Sequence, residues 1–246
     1  MSTLAAISDW AMCAMMDLIQ RRHRLTLQAP RDLRLYIEQH MHVSRDEYFH
    51  APRAVPDEYS MLAQDRTRLR WESPVTTAWP DNNHARVDYY VGPGGPQAPT
   101  VLMLHALMSA SDLGYRRWAA RFNERGWNAC FLHLPYHYSR TPAWRMNGEL
   151  AITADVIRTA EGLRQGVSEA RQLMGLLRGH GCSEFALWAT SYGGWIGGLL
   201  MSVERGFRWS ALMAPIVDVD HAIWHSPAGS ALRRELRRVT TLDLPA

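Results

Sequence analysis

The chain of 246 residues has only three cysteines, Cys13, Cys130 and Cys182. They form no CxxC pair and no Cys/His cluster at metal-ligand spacing, so neither a zinc module nor a disulfide framework is expected. An odd set of thiols fits a reducing compartment, and a cytoplasmic protein is the expectation. No run approaches the roughly 18 consecutive apolar residues that a membrane helix needs. The N-terminus lacks the layout of a secretory leader: Asp9 and Asp17 interrupt its apolar stretch, and the basic residues follow that stretch. HExxH is missing, and neither GxGxxG nor GxxxxGK[ST] follows a strand-like segment. The pattern therefore calls for no metal, no cofactor and no bound nucleotide. Repeats and low-complexity tracts are missing as well.

What is present is an ordinary globular balance, 47% apolar and 21% charged. The formal charge of +3 and the pI of about 8.9 are too weak to imply nucleic acid, and the arginines are scattered without interleaved aromatics. The length suits one large domain core. Residues 2–22 read as a helix: Leu4, Ile7, Ala11, Met15 and Leu18 recur at steps of three and four, and Arg21, Arg22 and Arg24 complement its C-terminal end. Such a Met-rich stripe suits packing on the domain body; contact with a membrane or an apolar ligand is the other reading. A second helix is expected from Asp32 to about His42. Together these suggest an N-terminal helical extension over residues 1–68, packed on a core over 69–246.

From Leu69 the pattern changes. The segments 69–79 and 85–92 read as strands, separated by the turn-forming Pro80-Asp81-Asn82-Asn83. The loop Gly92-Pro93-Gly94-Gly95-Pro96 follows. Strands and helices then alternate: strand 100–107, helix 114–126, strand 127–135, a long helix, strand 184–191, helix 192–204 and strand 208–217. The long helix shows one apolar face through Val156, Ala160, Leu163, Val167, Ala170, Met174 and Leu177. This order predicts an α/β fold, a mostly parallel sheet with helices on both faces. In such sheets ligands bind beyond the carboxyl ends of the strands.

The residues that follow those strands carry the chemistry. Trp188-Ala189-Thr190-Ser191-Tyr192-Gly193-Gly194 lies between a strand and a helix and fits the nucleophile elbow G-x-S-x-G, with Ala189 in the first glycine position. The tight turn strains the serine backbone and needs small residues two places before and after it. A turn whose glycines only allow close packing is the plainer alternative. Two more segments follow strands: His105-Ala106-Leu107-Met108 and His133-Leu134-Pro135-Tyr136-His137.

Taken together, these three segments resemble the α/β-hydrolase superfamily over residues from about 69 to 225, and the run Leu134–Pro142 resembles a little-characterised bacterial branch of it. The resemblance implies a serine hydrolase acting on carboxylic esters or related small acyl substrates through an acyl-enzyme on Ser191. It implies an oxyanion hole from the backbone amides of Leu107 and Tyr192. His105 reads as a structural, hydrogen-bonded histidine. Arg140 could meet an anionic group, or form an ion pair.

The superfamily order is serine, then acid, then histidine. After Ser191 the chain holds one clear strand, then a helical stretch near Ser230–Arg238, and ends at Ala246. Asp218 and His221 are the candidate acid and base, with His225 close by, although the expected histidine loop after a final strand is missing. The pattern therefore suggests a core truncated at its C-terminal side. A catalytically silent or incomplete hydrolase-fold binding protein is the alternative function. A sheet ending at this point would expose an edge, and a homodimer across it is one expectation.

Overall fold

The computed structural model describes residues 3–22 and 28–239. The chain divides into two compact units. The larger takes Ser44–Gly148 and Glu161–Pro215; the smaller takes the described residues of Met1–Val43, Glu149–Ala160 and Ile216–Ala246.

The larger unit is built on one seven-stranded sheet. Its strands are β1 (Glu58–Ala63), β2 (Arg66–Glu72), β3 (His84–Tyr90), β4 (Thr100–Leu104), β5 (Asn128–Leu132), β6 (Phe185–Thr190) and β7 (Phe207–Met213). They lie in the order β1-β2-β3-β5-β4-β6-β7. The pairs β1–β2, β2–β3 and β3–β5 are antiparallel, while β5, β4, β6 and β7 run parallel. Leu104 of β4 stands beside Leu132 on one side and Ala189 on the other. Every residue of β4 and β5 is buried, as expected for strands covered on both faces.

Helix α4 (Leu113–Asn123) packs on β3 and β5, and α6 (Tyr192–Val203) on β4, β6 and β7. Under α4, Val101, Met103, Ala129, Phe131 and Ala186 meet Ala119 in a cluster ringed by Tyr115, Phe122, Trp127, Trp188 and Trp209. A short helix, α3 (Arg45–Tyr48), starts at Ser44, whose Oγ accepts the Glu47 amide at 3.3 Å.

Two strand boundaries differ from the sequence pattern. Residues 58–68, which suggest part of a helical extension, carry β1 and the start of β2. In β1 the apolar Tyr59, Met61 and Ala63 are the exposed residues, so alternation there does not announce a buried face. The strand expected over 69–79 stops at Glu72. Pro74 interrupts it, and Thr77 then folds back: its amide and hydroxyl both donate to Asn83 Oδ1 at 2.8 Å.

Of its predicted apolar face, the long helix α5 (Val156–Gly179) buries Leu163, Val167, Ala170, Met174 and Leu177, while Val156 and Ala160 near its start are half-buried. It also buries Gln165, Glu169 and Gln172, a polar row at steps of four and three. Gln165 Nε2 donates to Ser73 Oγ at 2.9 Å and Asn82 O at 2.9 Å, and its Oε1 accepts from Asn82 Nδ2 at 2.7 Å. Gln172 Oε1 accepts from Trp71 Nε1 at 2.9 Å. The helix thus pins the irregular segment between β2 and β3.

In the smaller unit, α1 (Thr3–Arg22) packs against α7 (Ser230–Val239), and α2 spans Pro30–His40. The buried side of α1 is Met16, Ile19 and Gln20. Of the stripe that periodicity singles out, Ile7 and Leu18 are 58% and 54% exposed. The face that packs is selected by partners: Gln20 donates to Ile152 O at 3.1 Å and accepts the Ala154 amide at 3.0 Å, and Asp17 pairs with Arg234. The Leu4 side chain, Arg24 and residues 240–246 lie outside the described residues. No helix among the described residues is long and apolar enough to cross a membrane.

Candidate active site

Ser191 follows β6 directly and caps α6 with φ 51° and ψ −112°. That conformation is strongly disfavoured for a residue with a Cβ and persists only where the surroundings impose it. Three hydrogen bonds impose it here. The Ser191 amide donates to Met213 O of the neighbouring β7 at 2.8 Å, the Gly193 amide to His105 O at 3.0 Å, and the Trp195 amide to Ser191 O at 3.0 Å. A Cβ at position 193 would lie 2.4 Å from Leu104 O and 2.6 Å from His105 O. Only glycine lets the helix start this close to the end of β4. Ala189, in the other small position, is fully buried within β6.

The loop after β4 lies beside the elbow through that Gly193–His105 bond. Two of its amides are claimed by side chains. Ala106 N donates to Tyr115 Oη at 3.2 Å, and Met108 N to His137 Nε2 at 3.2 Å. Among the described residues, the Leu107 and Tyr192 amides make no hydrogen bond. Ser191 Oγ likewise has no hydrogen-bond partner among them.

Two buried histidines frame this loop. His105 Nε2 accepts the Leu134 amide at 3.1 Å, while its Nδ1 lies 2.9 Å from Ala106 O. His137 repeats the arrangement: Nε2 accepts from Met108, and Nδ1 lies 2.8 Å from Pro135 O. An amide can only donate and a carbonyl can only accept, so each ring is neutral with its proton on Nδ1. Burial pushes the His105 pKa well below its usual value and brings His137 down to about 4. His105 is therefore the structural histidine that the sequence suggests. The bracing role of His137 has no signal beyond its place in the Leu134–His137 segment.

Arg140 is fully buried and spoken for. Its guanidinium forms a two-pronged pair with Glu169 at 2.5 and 2.8 Å, and also donates to His133 O and Asn82 O at 3.0 and 2.6 Å. Of the two readings of Arg140, the ion pair is the one found. Nearby, His133 Nδ1 lies 2.7 Å from Ser139 Oγ, and its Nε2 lies 3.7 Å from Asp88 Oδ2. Serine, histidine and aspartate thus meet away from the elbow, but the second gap is too long for a hydrogen bond. Asp88 is held by Arg68 through two contacts at 2.7 and 3.0 Å. Burial opposes its charge, yet His133 and Arg68 more than offset that and bring its pKa down to about 2.

Asp218 and His221 belong to the smaller unit. There Asp218 caps a short helical turn, its Oδ1 accepting the His221 backbone amide at 2.8 Å. The His221 ring stacks on His225, with centroids 5.6 Å apart, and His225 Nε2 lies 4.0 Å from Asp220 Oδ2. Among the described residues no hydrogen bond joins the Asp218 carboxylate to an imidazole, and no group of three or more His, Cys, Asp or Glu residues is placed to hold a metal ion.

No family model and no curated protein sequence matches the chain. Solved structures do. Acetyl xylan esterase 1 from Thermoanaerobacterium sp. superimposes with a TM-score of 0.53 at 13% identity, covering 78% of this chain and 66% of that one. The chain has the α/β-hydrolase fold. An α/β hydrolase from Novosphingobium aromaticivorans is also similar, with a TM-score of 0.42 and 18% identity over 61% of this chain and 44% of that one. A thermostable carboxyl esterase from Bacillus coagulans gives 0.43 and 13% identity over 61% and 44%. The chain thus spans less than two thirds of the length of each. Ser191 lies at the turn that joins β6 to α6 in this fold.

Proposed function

We propose that the chain is a serine hydrolase acting on carboxylic esters or related small acyl substrates. The observation that carries the proposal is the strained Ser191 backbone at a strand-to-helix turn that only Gly193 can close. Such strain is stabilised elsewhere in the fold and is retained where a side chain must be presented. In this reading Ser191 Oγ attacks the acyl carbon while a base removes its proton. The carbonyl oxygen takes on negative charge against the unclaimed amides of Leu107 and Tyr192, collapse expels the alcohol, and water then releases the acid from the acyl-enzyme. Asp218 and His221 remain the candidate acid and base. The substrate is a small molecule, and the cytoplasm is the proposed compartment.

One observation favours a second reading, a silent hydrolase-fold binding protein. Asp218 is spent on a backbone amide, and no imidazole bonds to Ser191 Oγ among the described residues. Turnover of short p-nitrophenyl esters separates the two readings. The hydrolase reading expects turnover that Ser191→Ala abolishes; equal rates from both proteins would leave only the silent scaffold. Self-association across the β7 edge is the proposed assembly, and a strictly monomeric chain in solution counts against it.

A further inference from the structure

The loop after β4 turns on Met108, which has a left-handed φ of 54° that a non-glycine residue holds only when its surroundings fix it. What fixes it is the segment after β5. His137 Nε2 takes the Met108 amide at 3.2 Å. Ten residues on, Asn147 Nδ2 donates to Ser109 O at 2.6 Å while its Oδ1 accepts the Tyr138 amide at 2.6 Å. The imidazole is itself immobilised. Its Nδ1–H is directed at Pro135 O, its face stacks on Tyr192 at 5.6 Å between centroids, and the His105 ring meets it at 4.7 Å. Gly148 closes the remaining side, where a Cβ would lie 2.3 Å from Nε2.

We propose that His137 is a positioning residue for the Ser191 site: by holding the Met108 amide it fixes the turn that presents the preceding Leu107 amide. This rests on the reading of Ser191 as the nucleophile. The position of the turn matters because a donor displaced by about 1 Å loses most of its effect on the transition state. The clamp also has a titration limit. A protonated ring would aim an N–H at the Met108 N–H, so the clamp exists only while His137 is neutral. The charged and titratable groups facing it are His105, Tyr192 and Arg140; burial first, and then Arg140, keep the ring neutral down to about pH 4.

The test compares wild type, His137→Leu and His137→Gln by ester kinetics and by exchange of the Met108 amide, followed by NMR. Gln can offer an oxygen near the Nε2 position and does not titrate; Leu offers nothing. The expected result is a fall in kcat of about 10- to 100-fold for Leu with KM little changed, and recovery of most of it by Gln. Met108 protection should drop in the Leu variant, persist in Gln, and in wild type vanish as pH falls through about 4. Unchanged Met108 protection in His137→Leu overturns the clamp, as does a Gln variant as impaired as Leu. If Leu does not fold, the pH dependence of Met108 protection in wild type against Gln decides: no difference between them overturns it. Equal ester turnover by wild type and Ser191→Ala sinks the hydrolase reading alone, because amide exchange reads the clamp without catalysis.

Discussion

A methyl group at position 193 would meet the backbone carbonyl of Leu104 at 2.4 Å, and backbone cannot rotate away as a side chain can. Gly193→Ala should therefore cost about 3 kcal/mol or more, among the larger values for single substitutions. Urea unfolding measures it, and a loss below about 1 kcal/mol would show that the elbow is looser than described. The pair Arg140–Glu169 calls for a double comparison. Glu169→Leu strands a buried guanidinium and should cost about 3–5 kcal/mol, whereas Arg140→Met with Glu169→Leu together should regain much of that. Equal losses in the single and double variants would contradict the pairing. At this scale the sequence was uneven. Ser191, Ala189 and Gly193 are legible as a turn because a strand-to-helix junction this tight constrains residue size at fixed spacing. Glu169 is not, because a carboxylate on a helix is normally solvated and nothing local says that Arg140, remote in sequence, lies opposite.

Among the elements, α5 shows most clearly what periodicity can and cannot reveal. Its apolar row was legible and is buried from Leu163 onward, but Gln165, Glu169 and Gln172 make a second buried row that no hydrophobic count detects. Those residues are buried because the chain between β2 and β3 leaves backbone and amide groups that need partners. Gln165→Leu removes bonds to Ser73 and Asn82 at nearly constant volume. It should cost about 2–3 kcal/mol and speed amide exchange in residues 73–83. Exchange unchanged in that segment would mean that α5 does not hold it. In α1 the failure runs the other way. The stripe through Ile7 and Leu18 is real in the sequence yet exposed, because Gln20, Met16 and Ile19 find the partners. The central parallel strands, by contrast, read directly as apolar runs, since burial on both faces leaves no polar alternation to confuse.

For the molecule as a whole, acid sensitivity follows from its titrating groups. The chain contains no lysine, so every basic side chain apart from histidine is an arginine that stays charged throughout the relevant range. His105, His133 and His137 all have pKa values lowered in the fold, chiefly by burial. Below about pH 6.5 the unfolded chain binds protons that the folded chain refuses, so stability rises with pH across that window and is lost as pH falls toward 4. His137 alone contributes on the order of 3 kcal/mol to this slope. Asp88, lowered to about 2, extends the loss further into acid, between its unfolded value near 4 and about 2. The melting temperature should fall steadily from pH 7 to pH 4.5, and replacing His137 by Gln should flatten the fall; a melting temperature constant over that range would contradict the neutral buried histidines. The central claim, that the strained turn presents a reactive serine, is tested most directly by treating the intact protein with a fluorophosphonate and locating the adduct by mass spectrometry. The account predicts a single adduct on Ser191 that is lost in Ser191→Ala; an unlabelled protein, or an adduct that survives that substitution, would contradict it.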